Sequence, residues 1–399
     1  MANINSNYNH RMGTAELTIE RNNAPLANTE VTVRQVKQKV LFGCAGFESV
    51  ELINGMLEGE QKERSEKRVQ KMKEIFNFIT LPFYWGRFEP ERGSPITERV
   101  INAAKWWQEN GVELKGHPLC WHTVTAPWLM EMSDEEILTA QLDRITRDVS
   151  QFSGVINMWD VINEVVIMPI FDKYDNGITR ICKKEGRIGL VRKVFGAAKK
   201  ANPGAMLLIN DFDMSESYDI LLEGLLEAGI PIDAIGLQSH MHKGYWGREK
   251  TMEILERFSR FNLPLHFTEI NMVSGDFMPG NIIDLNDHVV DAWPSTPEGE
   301  ARQAEQVADF YKMLYSCPLI DAITYWSFTD GGWLKAPAGL MTEDARVKPS
   351  YEALFNLIKN EWTTKDQRLS TDENGVITVT GFKGSYVAQY DGGSVEFSI

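Results

Sequence analysis

Three features of this 399-residue chain predict a (β/α)8 barrel carrying a small accessory antiparallel β module. Short apolar or β-branched runs alternate eight times with longer stretches of helical period. Polar and aromatic residues gather where those runs end. Toward both chain ends the pattern changes to period-two alternation. An open doubly wound sheet is the competing architecture, but no G-x-G-x-x-G follows any of the runs.

The elements follow in order. "AELTIERNNAPLANTEVTVRQV" alternates around a turn-like Asn-Asn-Ala-Pro. The eight barrel strands are expected at "LFGCAG" from Leu41, "FNFITLPF" from Phe76, "VELKGHPL" from Val112, "GVINMWDV" from Gly154, "AMLLINDF" from Ala205, "DAIGLQSH" from Asp233, "PLHFTEIN" from Pro264 and "DAITYWSF" from Asp321. Helical stretches lie between them, among them "QKERSEKRVQKMKEIF", "EGRIGLVRKVFGAAKKA", "SYDILLEGLLEAG" and "PEGEARQAEQVADFYKMLYS". "SDEEILTAQLDRITRDVSQF" opens on Ser133 and Glu136, the spacing of a capping box. The C-terminal "GVITVTGFKGSYVAQYDGGSVEFSI" alternates again. Neither end is long enough to bury a core alone. Residues 12–40 and 361–399 are therefore expected to pack together as one β-sandwich-like module beside a barrel of residues 41–360.

Formal net charge is −15, from 41 basic and 56 acidic residues, which argues against a nucleic-acid partner and suits a neutral substrate. No apolar run approaches a membrane span, so no membrane partner is expected. The opening "MANINSNYNHR" has no apolar leader segment; the expectation is a cytoplasmic protein or a secreted one whose signal has been removed. Cys44, Cys120, Cys182 and Cys317 form no C-x-x-C pair and read as free thiols. Oligomeric state is not legible.

The segment "WDVINE", Trp159 to Glu164, closes the fourth run with an acid, an amide and another acid. A buried strand has no use for that cluster, whereas barrel enzymes carry their chemistry at such strand ends. The third run ends in "GHPLCWH", the fifth in "IND", the sixth in "LQSHMH", the seventh in "FTEIN" and the eighth in "YWSFTDGGWL". His117, His122, His240 and His242, four of the seven histidines, fall there with Trp121, Trp159, Trp326 and Trp333. Glu164 and Glu269 end the fourth and seventh runs, where they can face one another across the barrel mouth. Glycoside cleavage needs such a pair: one carboxyl neutral to protonate the leaving oxygen, the other ionised to attack the anomeric carbon.

"WDVINE", "GHPLCWH", "IGLQSHMH", "FTEIN", "WSFTDGGW" and "GLMTEDARVKPSYEAL" resemble, in order, the motifs of glycoside hydrolase family 10, the retaining endo-β-1,4-xylanases. The resemblance covers about Leu41 to Leu357. It implies Glu164 as general acid/base, Glu269 as nucleophile, and Asn163 as the partner of the sugar 2-hydroxyl. It implies that His240 orients Glu269 and that Gln238 sits beside both glutamates. His117 and Trp121 would line the cleavage subsite, and Trp326 and Trp333 would roof it. His122 and Asp211 would support the site, Trp159 would be core, and His242 and His266 have no assigned role. No cofactor and no metal are implied; the partner is a β-linked carbohydrate, xylan or xylo-oligosaccharides.

The second run departs from that family. In "TLPFYWGRFEPERG", Trp85 and Glu89 match the family, but Thr80 and Leu81 stand at its Glu-Asn pair and Tyr84 at its Lys. Groups that grip the sugar on the non-reducing side are thereby absent, which leaves open a β-glycosidase of altered specificity. Trp85 and Tyr84 remain expected site residues. After the seventh run comes "NMVSGDFMPGNIIDLNDHVVDAWPSTPEG", long enough to be functional. Its Phe277, Met278 and Trp293 are expected to shape an aglycone pocket, unless the loop is only a packing element. Two readings of other classes compete. One is a metal-dependent hydrolase using the H-x-H of His240 and His242 with Cys120, His122 and Asp211. The other is a non-catalytic carbohydrate-binding barrel. Endo or exo action is not legible.

Overall fold

The computed structural model describes residues 8–399. Residues 1–7, on which the reading of a leaderless opening partly rests, lie outside the described residues. Eight parallel strands close into a barrel: β1 (Leu41–Ala45), β2 (Phe78–Pro82), β3 (Glu113–His117), β4 (Met158–Asn163), β5 (Met206–Asp211), β6 (Ala234–Met241), β7 (Leu265–Met272) and β8 (Ile320–Tyr325). Neighbours in space are neighbours in sequence, and β8 pairs β1 to complete the ring. Helices follow every strand and pack one continuous apolar core around the barrel. Among the described residues no helix is long and apolar enough to cross a membrane.

Local chemistry explains these elements. The capping box is formed: Glu136 N–H donates to Ser133 Oγ at 3.4 Å and Ser133 N–H to Glu136 Oε2 at 2.9 Å. The helix expected from Glu185 is the second half of a longer element, Gly177–Ala201, broken at Gly186 with φ 71° and ψ 161°. The preceding turn was missed because its start signal, Asn176 capping Thr179 N–H at 2.8 Å, lies in a polar stretch without helical period. Gly116 on β3 has a structural reason: a Cβ there would lie 2.2 Å from the Trp159 ring. Trp159 is fully buried core, as expected. All four cysteines are free.

Chain ends meet. Met12–Thr18 pairs antiparallel with Val376–Phe382, and Glu30–Gln38 lies between Gln367–Ser370 and Gly384–Tyr390, with Gly393–Ser398 at the edge. Ile19, Val31, Val33, Ile377, Val379 and Tyr386 form the core between these sheets. Asn22 and Asn23, at φ 55° and 62°, make the tight turn of a short hairpin, so the turn is Asn-Asn and the following Ala-Pro already belongs to the return strand. Arg11 donates to Tyr315 O (3.0 Å) and Cys317 O (2.7 Å), and Gln38 to Ile358 O and Trp362 O (both 2.9 Å). The strands therefore attach at the N-terminal end of the barrel, away from the strand ends that carry the polar cluster.

Candidate active site

The C-terminal strand ends open into a cleft of about 1690 Å3. Tyr84, His117, Trp121, Asn163, Glu164, Gln238, His240, Glu269, Trp326 and Trp333 all line it. Trp85, expected beside them, does not. It is buried behind the wall, donates to Glu89 at 3.2 Å, and lies under the Arg144 guanidinium at 4.9 Å. An aromatic at a strand end can face either way, and the turn Trp85–Phe88 carries this one inward.

β4 delivers Asn163 and Glu164. Glu164 has φ 57°, a left-handed conformation that costs a non-glycine residue about 1–3 kcal/mol and is held by its N–H donating to Asn210 O at 2.8 Å. Its carboxyl accepts from Trp121 Nε1 (2.8 Å) on one oxygen and from Asn163 Nδ2 and Gln238 Nε2 (both 3.2 Å) on the other. Removal from water, reinforced by the charge of Glu269, pushes it up to about 8 despite those donors.

Glu269 on β7 is buried and behaves oppositely. His240 Nε2 lies 3.1 Å from Oε2, Asn210 Nδ2 donates to Oε1 at 2.8 Å, and His117 Nε2 stands 4.0 Å away. Burial works to raise this carboxyl, but the His240 hydrogen bond and the charges of His117 and His240 outweigh it and hold it below the ordinary value. Two carboxyls in one cleft thus favour different protonation states.

A layer beneath fixes these groups. Asn210 Nδ2 also donates to Asn163 Oδ1 at 2.7 Å, and Thr268 Oγ1 donates to Asn210 Oδ1 at 2.6 Å. Gly236 leaves that amide its space, since a Cβ there would lie 2.4 Å from Asn210 Oδ1. Asn271 contacts His240 Nδ1 at 3.1 Å. Inside the barrel, Asp160 Oδ2 lies 2.7 Å from both Lys115 Nζ and His117 Nδ1, all three side chains being buried. Sequence reasoning missed Asn210, Asn271, Lys115 and Asp160. Asn210 carried a signal: it stands in the strand end "IND", one residue before the noted Asp211. Its pairing in register with Asn163 appears only in the structure.

Asp211 is buried and pushed up to about 7, by desolvation that outweighs the N–H groups of Val166 and Asp213 (3.0 Å each). Burial lowers His122 to about 4, His242 to about 3 and His266 to about 3. In the H-x-H pair, His240 already spends its ring nitrogens on Glu269 and Asn271, while His242 packs against Trp333 and Trp293. The pair therefore does not present two free imidazole nitrogens to one point.

The wall beyond β2 is aromatic. Thr80 and Leu81 are fully buried in the barrel and do not line the cleft. Tyr84 meets Phe47 edge-on at 5.7 Å, His117 at 5.6 Å and Trp121 at 5.5 Å, and Phe47 meets Trp326 at 5.4 Å. The loop after β7 contributes other residues than expected. Ile283, Asp284, Leu285 and Asn286 line the cleft; Phe277, Met278 and Trp293 do not. Met278 is buried beneath the backbone of His242, Trp293 packs on His242 and His288, and Phe277 lies under Arg302. Lys173 pins the loop through Asp284 and Asp287, both at 2.6 Å.

Comparison with known proteins gives the family and agrees with the barrel. Residues 48–357 match the family described as "Glycosyl hydrolase family 10". Endo-1,4-beta-xylanase B of Thermotoga neapolitana is 28% identical over 317 residues, covering 74% of this chain and 85% of that protein. An endo-1,4-beta-xylanase of Geobacillus stearothermophilus is 27% identical over 295 residues, covering 67% and 84%. Native xylanase 10B of Thermotoga maritima superposes with a TM-score of 0.65 at 25% identity, over 81% of this chain and 96% of that one. With the closed barrel and a family match spanning residues 48–357, this chain belongs to glycosyl hydrolase family 10.

Proposed function

We infer that this protein is a retaining β-glycoside hydrolase acting on β-1,4-xylosidic linkages, with Glu269 as nucleophile and Glu164 as acid/base. The carrying observation is the opposed protonation of the two carboxyls: Glu164 raised to about 8, Glu269 held low. Ionised Glu269 attacks the anomeric carbon. Neutral Glu164 gives its proton to the glycosidic oxygen as that bond breaks. A covalent glycosyl-enzyme forms and the aglycone leaves. Glu164, now ionised, takes a proton from a water molecule, whose oxygen attacks the same carbon and frees Glu269.

Positions around the pair support further roles. Asn163, held by Asn210 and Gln238, presents its amide beside the reacting sugar, a contact for the 2-hydroxyl. His117 and Trp121 line the cleavage subsite, and Trp326 and Trp333 supply ring faces above it. The substrates of the xylanase relatives and the long open cleft favour xylan or xylo-oligosaccharides. The same proposal takes residues 41–360 as the catalytic barrel and 12–40 with 361–399 as its accessory module; the strand pairing of the two chain ends supports that division.

Kinetics on aryl β-xylosides test the assignment. Glu269→Ala is expected to lose roughly 10^4-fold or more in kcat. Glu164→Ala is expected to keep the first step with a dinitrophenyl leaving group, which needs no protonation, and to lose it with alkyl or sugar leaving groups. Near-native turnover by Glu269→Ala would overturn the roles.

A further inference from the structure

Cleft-lining charges are mostly paired. Arg64 meets Glu60 at 2.9 Å, Arg68 meets Glu48 at 3.0 Å, and Lys173 meets Asp284 at 2.6 Å. Arg87 is different. Arg87 lies in the turn Trp85–Phe88 after β2, is exposed in the cleft, and its guanidinium has no ion pair or side-chain hydrogen bond among the described residues. Its one recorded partner is the Tyr84 ring, 5.9 Å below it. That ring in turn packs on His117 and Trp121, so Arg87 stands one side chain away from the cleavage subsite.

Its neighbours define what it can bind. Thr80 and Leu81 are buried, and Phe47, Tyr84 and Trp326 form an interlocked apolar surface. Glu48 is occupied by Arg68. The wall next to Arg87 therefore offers a planar fork of donors with no carboxylate paired to it, beside the hydroxyls of Tyr84 and Thr123. A sugar hydroxyl both donates and accepts; a carboxylate only accepts and matches the fork with two oxygens. Lys243 and Lys250 also line the cleft without an ion pair, against a single such acid, Glu343, outside the catalytic pair. In a chain of net charge −15, this local excess of free cations attracts an anionic substrate toward the cleft.

We propose that Arg87 is a carboxylate-binding specificity residue on the non-reducing side of the cleft, so that the preferred substrate carries a uronic acid there. The proposal rests on the hydrolase reading above and names its substrate class.

The test compares two xylo-oligosaccharides of equal backbone length, one unsubstituted and one bearing glucuronic acid. Wild type is expected to favour the acidic one by about tenfold or more in kcat/KM, mostly through KM, as one charge-assisted pair would give. That ratio should fall toward one in Arg87→Gln, recover partly in Arg87→Lys, and shrink between low and high salt. Calorimetric binding of both oligosaccharides to the Glu269→Ala protein separates this proposal from the hydrolase reading. Preferential binding of the acidic ligand that Arg87→Gln removes supports the proposal whether or not either compound is cleaved. Cleavage of both without preference, or an equal loss on both in Arg87→Gln, overturns it and leaves the hydrolase reading intact.

Discussion

The side-chain amide of Asn210 joins the two halves of the site: its nitrogen lies 2.7 Å from Asn163 Oδ1 and 2.8 Å from Glu269 Oε1. Asn163 in turn donates to Glu164 at 3.2 Å, so a chain of amides connects the two carboxyls. Asn210 Oδ1 accepts from Thr268 Oγ1 at 2.6 Å, which fixes the orientation of the Asn210 amide. Asn210→Ala removes a donor from a buried carboxylate and frees Asn163 to rotate. The loss of a hydrogen bond to a charged group, about 1.5–3 kcal/mol, corresponds to a fall of roughly 10- to 100-fold in kcat. The acid limb of the kcat/KM profile should move upward as well, because Glu269 loses a stabilising donor. Rates within twofold of wild type on a dinitrophenyl xyloside would contradict this bridging role.

Activity against pH is expected to be bell-shaped. The alkaline limb belongs to Glu164 near 8, and the acid limb lies below the ordinary carboxylate value because Glu269 is held low. The same raised group has a stability consequence of definite sign. Glu164 binds its proton more tightly folded than unfolded, so its favourable contribution is complete below about pH 4.5 and is lost as pH rises toward 8. Glu164→Gln, which cannot ionise, should therefore stabilise the fold increasingly between those values. After allowance for solvent in the cleft, the gain is on the order of 2 kcal/mol at pH 8. Denaturant melts of both proteins at pH 4.5 and pH 8 measure it; an equal difference at the two values would refute the assignment of the shift to Glu164.

Lys115 and Asp160 form a fully buried pair inside the barrel. Burial favours the neutral acid, but the charge of Lys115 and the His117 hydrogen bond overcome it and keep Asp160 ionised. Lys115→Met leaves that charge with His117 alone, at a cost of about 3 kcal/mol, the lower end for a broken buried pair. The double variant Lys115→Met, Asp160→Asn should be less destabilised than the sum of the singles. Strict additivity in urea unfolding would mean that the two do not interact.

Removing residues 376–399 strips Met12–Thr18 of its partner strand and Glu30–Gln38 of one of its two, and exposes Val31 and Val33. Rapid proteolysis within residues 12–38 is expected. Turnover of an aryl xyloside should stay within about twofold, since the module attaches through Arg11 and Gln38 at the far end of the barrel. Intact N-terminal strands after the deletion would argue against a shared module.

Much of this was legible along the chain. The eight apolar runs have the length and composition of strands buried on both faces, and their alternation with helical periods leaves few topologies other than a closed barrel. Acids at the ends of such runs have no packing role, and the resemblance of "WDVINE" and "FTEIN" to family motifs singled out Glu164 and Glu269 among them. Trp85 could not be separated from Trp121 in that way. Both follow a strand end, and only the path of the following turn sends one ring into the core and the other onto Glu164. The loop after β7 likewise announced its importance by length, while its lining residues depend on where Lys173 anchors it.

Sequence alone therefore determined the architecture, because strand periodicity is a property of neighbouring residues, and its ordered motifs, by their resemblance to a family, implied the reaction class and proposed the two glutamates. Tertiary structure decided which carboxyl keeps its proton, which amides hold the pair, and that an unpaired arginine stands over an aromatic wall. Those depend on burial and on through-space distances between side chains far apart in the chain, such as Asn210 and Glu269, and no local pattern encodes them.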